Sequence, residues 1–423
     1  MKSLLKNSIR FAPVLALALL ISCTQKPEKQ PTASGTLPPP PVSTISAEDK
    51  AKFQRAIQAF IDSSFPTGRF NGSILVAKNG EILYEYYAGF NNPRRKEDSI
   101  NQNTPFHLAS VSKTVTAVAI LKLWQDGKLN IQDSITKYLP GFPSEGVTIK
   151  TLLNHRSGLP NYVHYMERLG WDRNQIMTNQ DVLDFLIERH KDIDIGPADR
   201  RFTYSNTNYA LLALIVEKAS GMSYGDYLKT TFFDPLGMTS TYVYKSQDSA
   251  RSLPSFFNNG RQYAFDYLDM VYGDKNIYST VRDMLKFDQA LNSGKLLNTD
   301  VLNQSYTPYS FEKPGKNNYG LGWRMILLAN GKKLIYHNGW WHGYRTAFYR
   351  MPDENAVIIA LCNNDSRMIY STKKLADLFG DYMQTNDKDE DIDNGTVRRK
   401  SSRRSSYAST KKISKSKYVA AKK

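Results

Sequence analysis

The sequence predicts an α+β fold: an antiparallel sheet flanked by N- and C-terminal helices, with an all-helical lobe inserted into it. Three observations lead there. β-rich runs stand early and late in the central region, a long stretch of helical spacing separates them, and one helical segment lies at each outer end.

Taken in order, Phe53, Ile57, Phe60 and Ile61 share one face over Ala51–Ile61, the spacing of an amphipathic helix. Gly72–Ala77 and Glu81–Tyr87 then flank Asn79-Gly80, the strongest short signal for a hairpin turn. Ser110–Gln125 reads as a helix. From Leu152 to Asn292 helical segments dominate: Asp181–Glu188, Tyr209–Ala219, Tyr224–Phe232 and Val281–Leu291. Tyr319–Leu328, Lys333–His337, Tyr344–Tyr349 and Ala356–Leu361 are the late strands, and a last helix is expected over Tyr370–Met383. Two lobes of this kind place a binding cleft between them.

Composition agrees with a large folded core. The chain has 423 residues, 41% hydrophobic, with 26 Tyr and 19 Phe, which excludes global disorder. Two Cys exclude a disulfide scaffold. The formal charge of +16, taken alone, suggests a nucleic-acid or membrane-surface binder. Residues 1–22 carry +3 and residues 397–423 carry +11, which leaves 42 bases against 40 acids between them. The basicity belongs to the two ends, and no nucleic-acid partner is expected.

The N-terminal end reads as an address. Lys2, Lys6 and Arg10 precede the apolar run Phe11–Ile21, the pattern of a secretory signal peptide. Leu20-Ile21-Ser22-Cys23 resembles the lipobox of bacterial lipoproteins. That resemblance implies lipidation at Cys23, a membrane anchor without a membrane span, and a location in the cell envelope facing the periplasm or the exterior. The expected organisation is a signal peptide over 1–22, a Pro-rich linker over 23–47, a folded domain over 48–385 and a disordered tail, acidic then basic, over 386–423. The tail could adhere to an anionic envelope surface. Cys362, in the apolar run Val357–Cys362, is expected to be a buried, inert thiol. There is no Gly-x-Gly-x-x-Gly, no P-loop and no Cys/His cluster of ligand spacing, so no cofactor and no metal are expected.

Chemistry centres on Ser110-Val111-Ser112-Lys113. Ser-x-x-Lys spacing occurs seven times in the chain and carries little information alone. Ser110 differs because it stands where Thr104–Ala109 gives way to a helix. A serine there has its hydroxyl near unpaired backbone N–H groups and the positive end of the helix dipole. Lys113 lies three residues on, on the same face. A desolvated cleft disfavours an ammonium, and a neutral amine can take the serine proton. Read alone, the four residues fit a helix cap beside a solvated lysine better.

Later motifs shift that balance. Tyr204-Ser205-Asn206 lies between helical segments, and His337-Asn338-Gly339 closes a β-rich stretch. Ser-x-x-Lys, Tyr-x-Asn and a basic-x-Gly triplet, in this order, resemble the serine β-lactamase and penicillin-binding-protein superfamily, with the class C-like branch most similar. Leu152–Pro160, Asp234–Thr239, Ser279–Phe287 and Tyr319–Trp323 resemble further stretches of that branch, and the likeness runs over Ala47–Met383.

The resemblance implies the β-lactamase/transpeptidase-like fold and a set of roles. Ser110 would be the acylated nucleophile, Lys113 and Tyr204 would handle its proton, and either of the two could be the base. Asn206 would bind the substrate carbonyl, and His337 would face the cleft toward Tyr204 or the substrate. Gly339 would let the substrate approach the strand, and the N–H groups of Ser110 and Trp340 would form the oxyanion hole. His107, His155 and His342 are assigned structural roles. The implied activity is hydrolysis of an amide, peptide or ester through acyl-Ser110. Its substrate would be a small molecule or peptide, such as a D-amino-acid peptide, a peptidoglycan fragment, an ester or a β-lactam. A non-catalytic envelope-binding lipoprotein and a true class C-like β-lactamase are the alternatives. His337 in place of the superfamily's lysine removes a permanent charge, which weakens the β-lactamase case.

Overall fold

The computed structural model describes residues 44–382. The signal peptide, Cys23, most of the linker and the tail lie outside the described residues.

Helix α1, Ala47–Ser64, starts at Ser46, whose hydroxyl accepts the Asp49 N–H at 3.0 Å, and it buries Ile57 and Ile61. Strands β1 (Gly72–Lys78) and β2 (Glu81–Ala88) follow. Both turn residues between them, Asn79 and Gly80, have positive φ (53° and 77°), as a two-residue hairpin whose twist matches its strands requires. The late strands are β3 (Asn317–Tyr319), β4 (Arg324–Leu327), β5 (Lys333–Trp341), β6 (Tyr344–Met351) and β7 (Ala356–Cys362). All seven form one antiparallel sheet in the order β2-β1-β7-β6-β5-β4-β3. The first hairpin therefore closes against the last strand, with Leu75 opposite Ile359.

The central strands are buried on both faces, and their two-residue period divides the core. Leu75, Ala77, Phe348, Val357 and Ile359 face the helical lobe. Ile74, Val76, Ala347, Tyr349, Ile358 and Ala360 face α1 and the C-terminal segment. In the lobe, α2 (Ser112–Gln125) and α3 (Asn206–Ser220) pack together and are buried along most of their length. That burial is the reason they are apolar all round rather than striped. Helix α4, Val281–Asn292, lies against β1 and β7. Its Asp288 meets Arg350 of β6 in a buried ion pair, Nε to Oδ1 2.5 Å.

Several boundaries differ from expectation. A 3-10 turn over Ala109–Val111 precedes α2, so Ser110 sits just ahead of the α-helix. Strand β5 runs on to Trp341, which puts His337-Asn338-Gly339 inside a strand, not at its end. Tyr319–Leu328 is broken by a turn at Gly320–Trp323, where Gly322 has φ of 92°. The helical lobe also holds a small sheet of Phe106–His107, Ile277–Ser279 and Tyr242–Val243. The last helix is a 3-10 segment over Arg367–Leu378, ending before the expected Met383.

Candidate active site

The site is assembled at the start of α2. Phe106–His107 pairs with Ile277–Ser279, and Leu108 donates its N–H to the Ile277 carbonyl at 2.7 Å. The chain then turns through Ala109, whose φ is +49°. A non-glycine residue there costs about 1–2 kcal/mol, and that strain brings Ser110 round above the helix N-terminus. Ser110 is 5% exposed, and Lys113 is fully buried. Lys113 Nζ donates to Ser110 Oγ at 3.1 Å and to the Asp274 carbonyl at 2.7 Å. It also lies 5.2 Å from the Tyr204 ring centroid and 5.7 Å from that of Tyr209.

Tyr204, Ser205 and Asn206 form the entry to α3, with Ser205 as its cap in extended conformation. Pro160 anchors this entry by accepting from Ser205 Oγ at 3.0 Å and Thr207 Oγ1 at 2.6 Å. His155 holds it from the other side. Its Nδ1 accepts from the Ser205 N–H at 3.2 Å and Asn208 Nδ2 at 3.0 Å, and its ring packs 4.4 Å from Tyr204. The Tyr204 hydroxyl and Asn206 Oδ1 are buried and make no hydrogen bond inside the protein. Buried polar groups are normally paired, so these two unpaired atoms at the entry to α3 mark the candidate site.

Strand β5 closes the other wall. A Cβ on Gly339 would strike Thr346 Oγ1 and come within 2.6 Å of the Leu108 carbonyl and 3.0 Å of Ala109 Cβ. This glycine is needed because β5 packs directly on the turn before Ser110. The space its missing Cβ leaves is filled by protein, not kept open for substrate. Trp340 follows it on the strand, half-buried, with its indole N–H bonded to the His342 carbonyl at 3.0 Å and the Arg345 guanidinium 4.3 Å from its ring.

His337 is fully buried. Its Nδ1 donates to the Asn338 carbonyl at 2.7 Å, so Nε2 is the acceptor, and it faces the Tyr319 hydroxyl at 3.1 Å. The bond expected toward Tyr204 goes to Tyr319 instead, and the Tyr204 ring lies 6.4 Å away. Burial, then the Arg324 and Lys113 charges, push the His337 ring well below its ordinary range. It is a neutral hydrogen-bonding residue at pH 7. A permanent cation is supplied by Arg324, stacked 5.0 Å from the Tyr204 ring.

The sequence reading missed a buried group behind Lys113. Lys275 donates to the Tyr162 hydroxyl at 2.5 Å and lies 3.4 Å from Asp274 Oδ2, which also accepts from Tyr162 at 3.1 Å. The same Asp274 offers its carbonyl to Lys113. Nothing in Asp274-Lys275 alone distinguishes it from a solvated pair, so no signal was available. On the far side of His107, a cavity of about 190 Å³ is lined by Tyr244, Tyr263, Phe265, Tyr278, Trp341 and Tyr344.

Comparison with known proteins places this arrangement. The β-lactamase family model matches residues 53–377, more than three quarters of the chain. The chain belongs to the β-lactamase family. Within this family of serine hydrolases it is 33% identical to a penicillin-binding protein of Bacillus subtilis (strain 168), over 76% of this chain and 74% of that protein. It is 28% identical to protein flp of Staphylococcus aureus (strain NCTC 8325 / PS 47), over 75% of this chain but only 64% of that protein. Among β-lactamase-like structures, its fold resembles a penicillin-binding protein from Bacillus halodurans, with a TM-score of 0.65 and 24% identity over 76% of this chain and 99% of the other. It also resembles a D-amino acid amidase from Ochrobactrum anthropi SV3, with a TM-score of 0.64 and 23% identity over 78% and 97%.

Proposed function

We propose that the protein hydrolyses an amide or peptide bond through an acyl-Ser110 intermediate, on D-amino-acid peptides or amides of the cell envelope. One observation carries the reading: a fully buried lysine Nζ 3.1 Å from the Ser110 hydroxyl, with the ring of Tyr204, whose hydroxyl is unpaired, 5.2 Å from that nitrogen. Ser110 Oγ attacks the carbonyl carbon, and its proton passes to the neutral amine of Lys113, directly or through a Tyr204 hydroxyl that accepts it while giving its own proton to Lys113, or to Tyr204 as phenolate. The N–H groups of Ser110 and Trp340 take the developing oxyanion. Collapse of the tetrahedral species expels the amine, which leaves with the transferred proton. Water, deprotonated by the same pair, then attacks the ester and frees Ser110. Asn206 holds the substrate amide during both steps. The penicillin-binding relative and the amidase-like fold support a D-aminoacyl substrate over a lipid ester, and neutral His337 disfavours a dedicated β-lactamase.

Cys23 would tether this domain to a membrane through the Pro-rich linker, and the basic tail would add adhesion to anionic envelope polymer or lipid. Deleting residues 397–423 should weaken salt-sensitive binding to anionic liposomes; unchanged binding refutes that role. The catalytic reading is tested by labelling the purified chain with a fluorescent penicillin and a fluorophosphonate. A covalent adduct that disappears in Ser110→Ala is expected. No adduct, or one that survives the substitution, would leave a non-catalytic binding protein. Release of product from D-amino-acid peptides, short esters and nitrocefin then ranks the substrate classes.

A further inference from the structure

We propose that His107 is a positioning residue for Ser110: its Nδ1 holds the left-handed turn at Ala109 that presents the nucleophile, an inference that rests on the acyl-Ser110 reading. His107 is 2% exposed and stands two residues before Ala109. The Ala109 N–H donates to His107 Nδ1 at 2.9 Å. The other ring nitrogen, Nε2, lies 2.9 Å from Asn276 Oδ1.

The hydrogen bonds around Asn276 fix which ring nitrogen carries the proton. Asn276 Nδ2 donates to the Asp269 carbonyl at 2.5 Å and the Val271 carbonyl at 2.9 Å, so its Oδ1 is left as an acceptor. His107 Nε2 must then be the donor, and Nδ1 is free to accept from Ala109. Burial pushes the His107 ring down to about 4, which keeps Nδ1 unprotonated at neutral pH. The ring cannot swing away. It is stacked on Tyr344 at 4.9 Å and met edge-on by Tyr278 at 5.1 Å.

The purpose of this arrangement follows from Ala109. Its φ of +49° opposes the ordinary preference of an L-residue by about 1–2 kcal/mol, and strained residues persist only where their surroundings hold them. A bond to the Ala109 N–H is the direct restraint on that turn. Strand β5 supplies the other, through Gly339 against Leu108 and Ala109. Releasing the first restraint lets Ser110 Oγ drift from Lys113 without removing any group that touches substrate.

The two nitrogens can be separated by substitution. Asparagine places its oxygen near the position of Nδ1, and an Asn oxygen accepting an N–H two residues on is a common turn. Glutamine reaches toward Asn276 instead. In the full chain, the rate at which the fluorophosphonate phosphonylates Ser110, with loss of fluoride, should fall about tenfold to a hundredfold in His107→Leu and His107→Gln. The concentration giving half the maximal rate should not change, and His107→Asn should stay within about threefold of wild type on the same scale. Circular dichroism melting identifies variants that fold. Folded His107→Leu labelled at the wild-type rate overturns the proposal, as does rescue by Gln but not by Asn, which would mark His107 as a packing residue anchored at Asn276. Failure of wild type to label at Ser110 instead overturns the acyl-Ser110 reading. The His107 inference is then decided by hydrogen exchange of the amides around Ala109. Faster exchange in His107→Gln than in His107→Asn supports it, and equal exchange overturns it.

Discussion

Replacing Gly339 by alanine should drive strand β5 away from the turn that carries Ser110. The added Cβ meets Thr346 Oγ1 and lies 2.6 Å from the Leu108 carbonyl, where about 3.4 Å is ordinary contact. Thr346 cannot simply rotate, because its hydroxyl donates to that same carbonyl at 2.7 Å. The backbones must therefore separate by close to 1 Å. Overpacking of this kind costs about 1–3 kcal/mol, and loss of the Thr346 hydrogen bond adds about 1 kcal/mol. A destabilisation of about 2–4 kcal/mol is expected from urea unfolding. A displacement of this size beside the nucleophile costs about a hundredfold in rate, read from fluorophosphonate labelling of Ser110. Adding Thr346→Ala removes one obstacle and leaves the Leu108 carbonyl, so the double variant should recover only part of each loss. Gly339→Ala with wild-type unfolding and wild-type labelling would refute the account of why glycine is required here.

Further outcomes follow from buried charge. Arg350→Met leaves Asp288 fully buried without its cation and should cost about 3–5 kcal/mol at pH 7. Burial already raises the Asp288 carboxyl, so protonation relieves the unpaired charge; the deficit in urea unfolding should shrink as pH falls toward 4, and a pH-independent deficit would contradict this. Three buried imidazoles, His107, His155 and His337, are each held below the ordinary histidine range mainly by burial. A depressed folded-state value contributes stability above about pH 6.5 that is lost as pH falls. Each should cost about 1.4 kcal/mol per pH unit below that point, for His107 until about pH 4. Unfolding free energy that stays level between pH 7 and 5 would be the contrary result. Cys362 is fully buried and its thiol is pushed up to about 11 by desolvation, so in a chain lacking residues 1–23 it should react with a thiol reagent only after denaturation.

Local pattern was enough for much of this protein. The Asn79-Gly80 hairpin, the paired helices around Ser110–Gln125 and Tyr209–Ala219, and the late β-rich runs are all present, because each is set by side-chain period and turn chemistry within a few residues. The Ser110–Lys113 pair was equally legible, since three residues along a helical turn place both groups on one face. What sequence could not supply was the company these groups keep. His337 pairs with Tyr319, Gly339 is dictated by Leu108 and Thr346, and His107 reaches Ala109 through a ring whose tautomer is set by Asn276. Lys275 and Asp274 are adjacent in the chain, yet only burial beside Tyr162 separates them from an exposed pair. Each of these depends on contacts between segments far apart in the chain. Periodicity records which face of an element is buried; which atoms meet there is decided only when the sheet and the helical lobe close on one another.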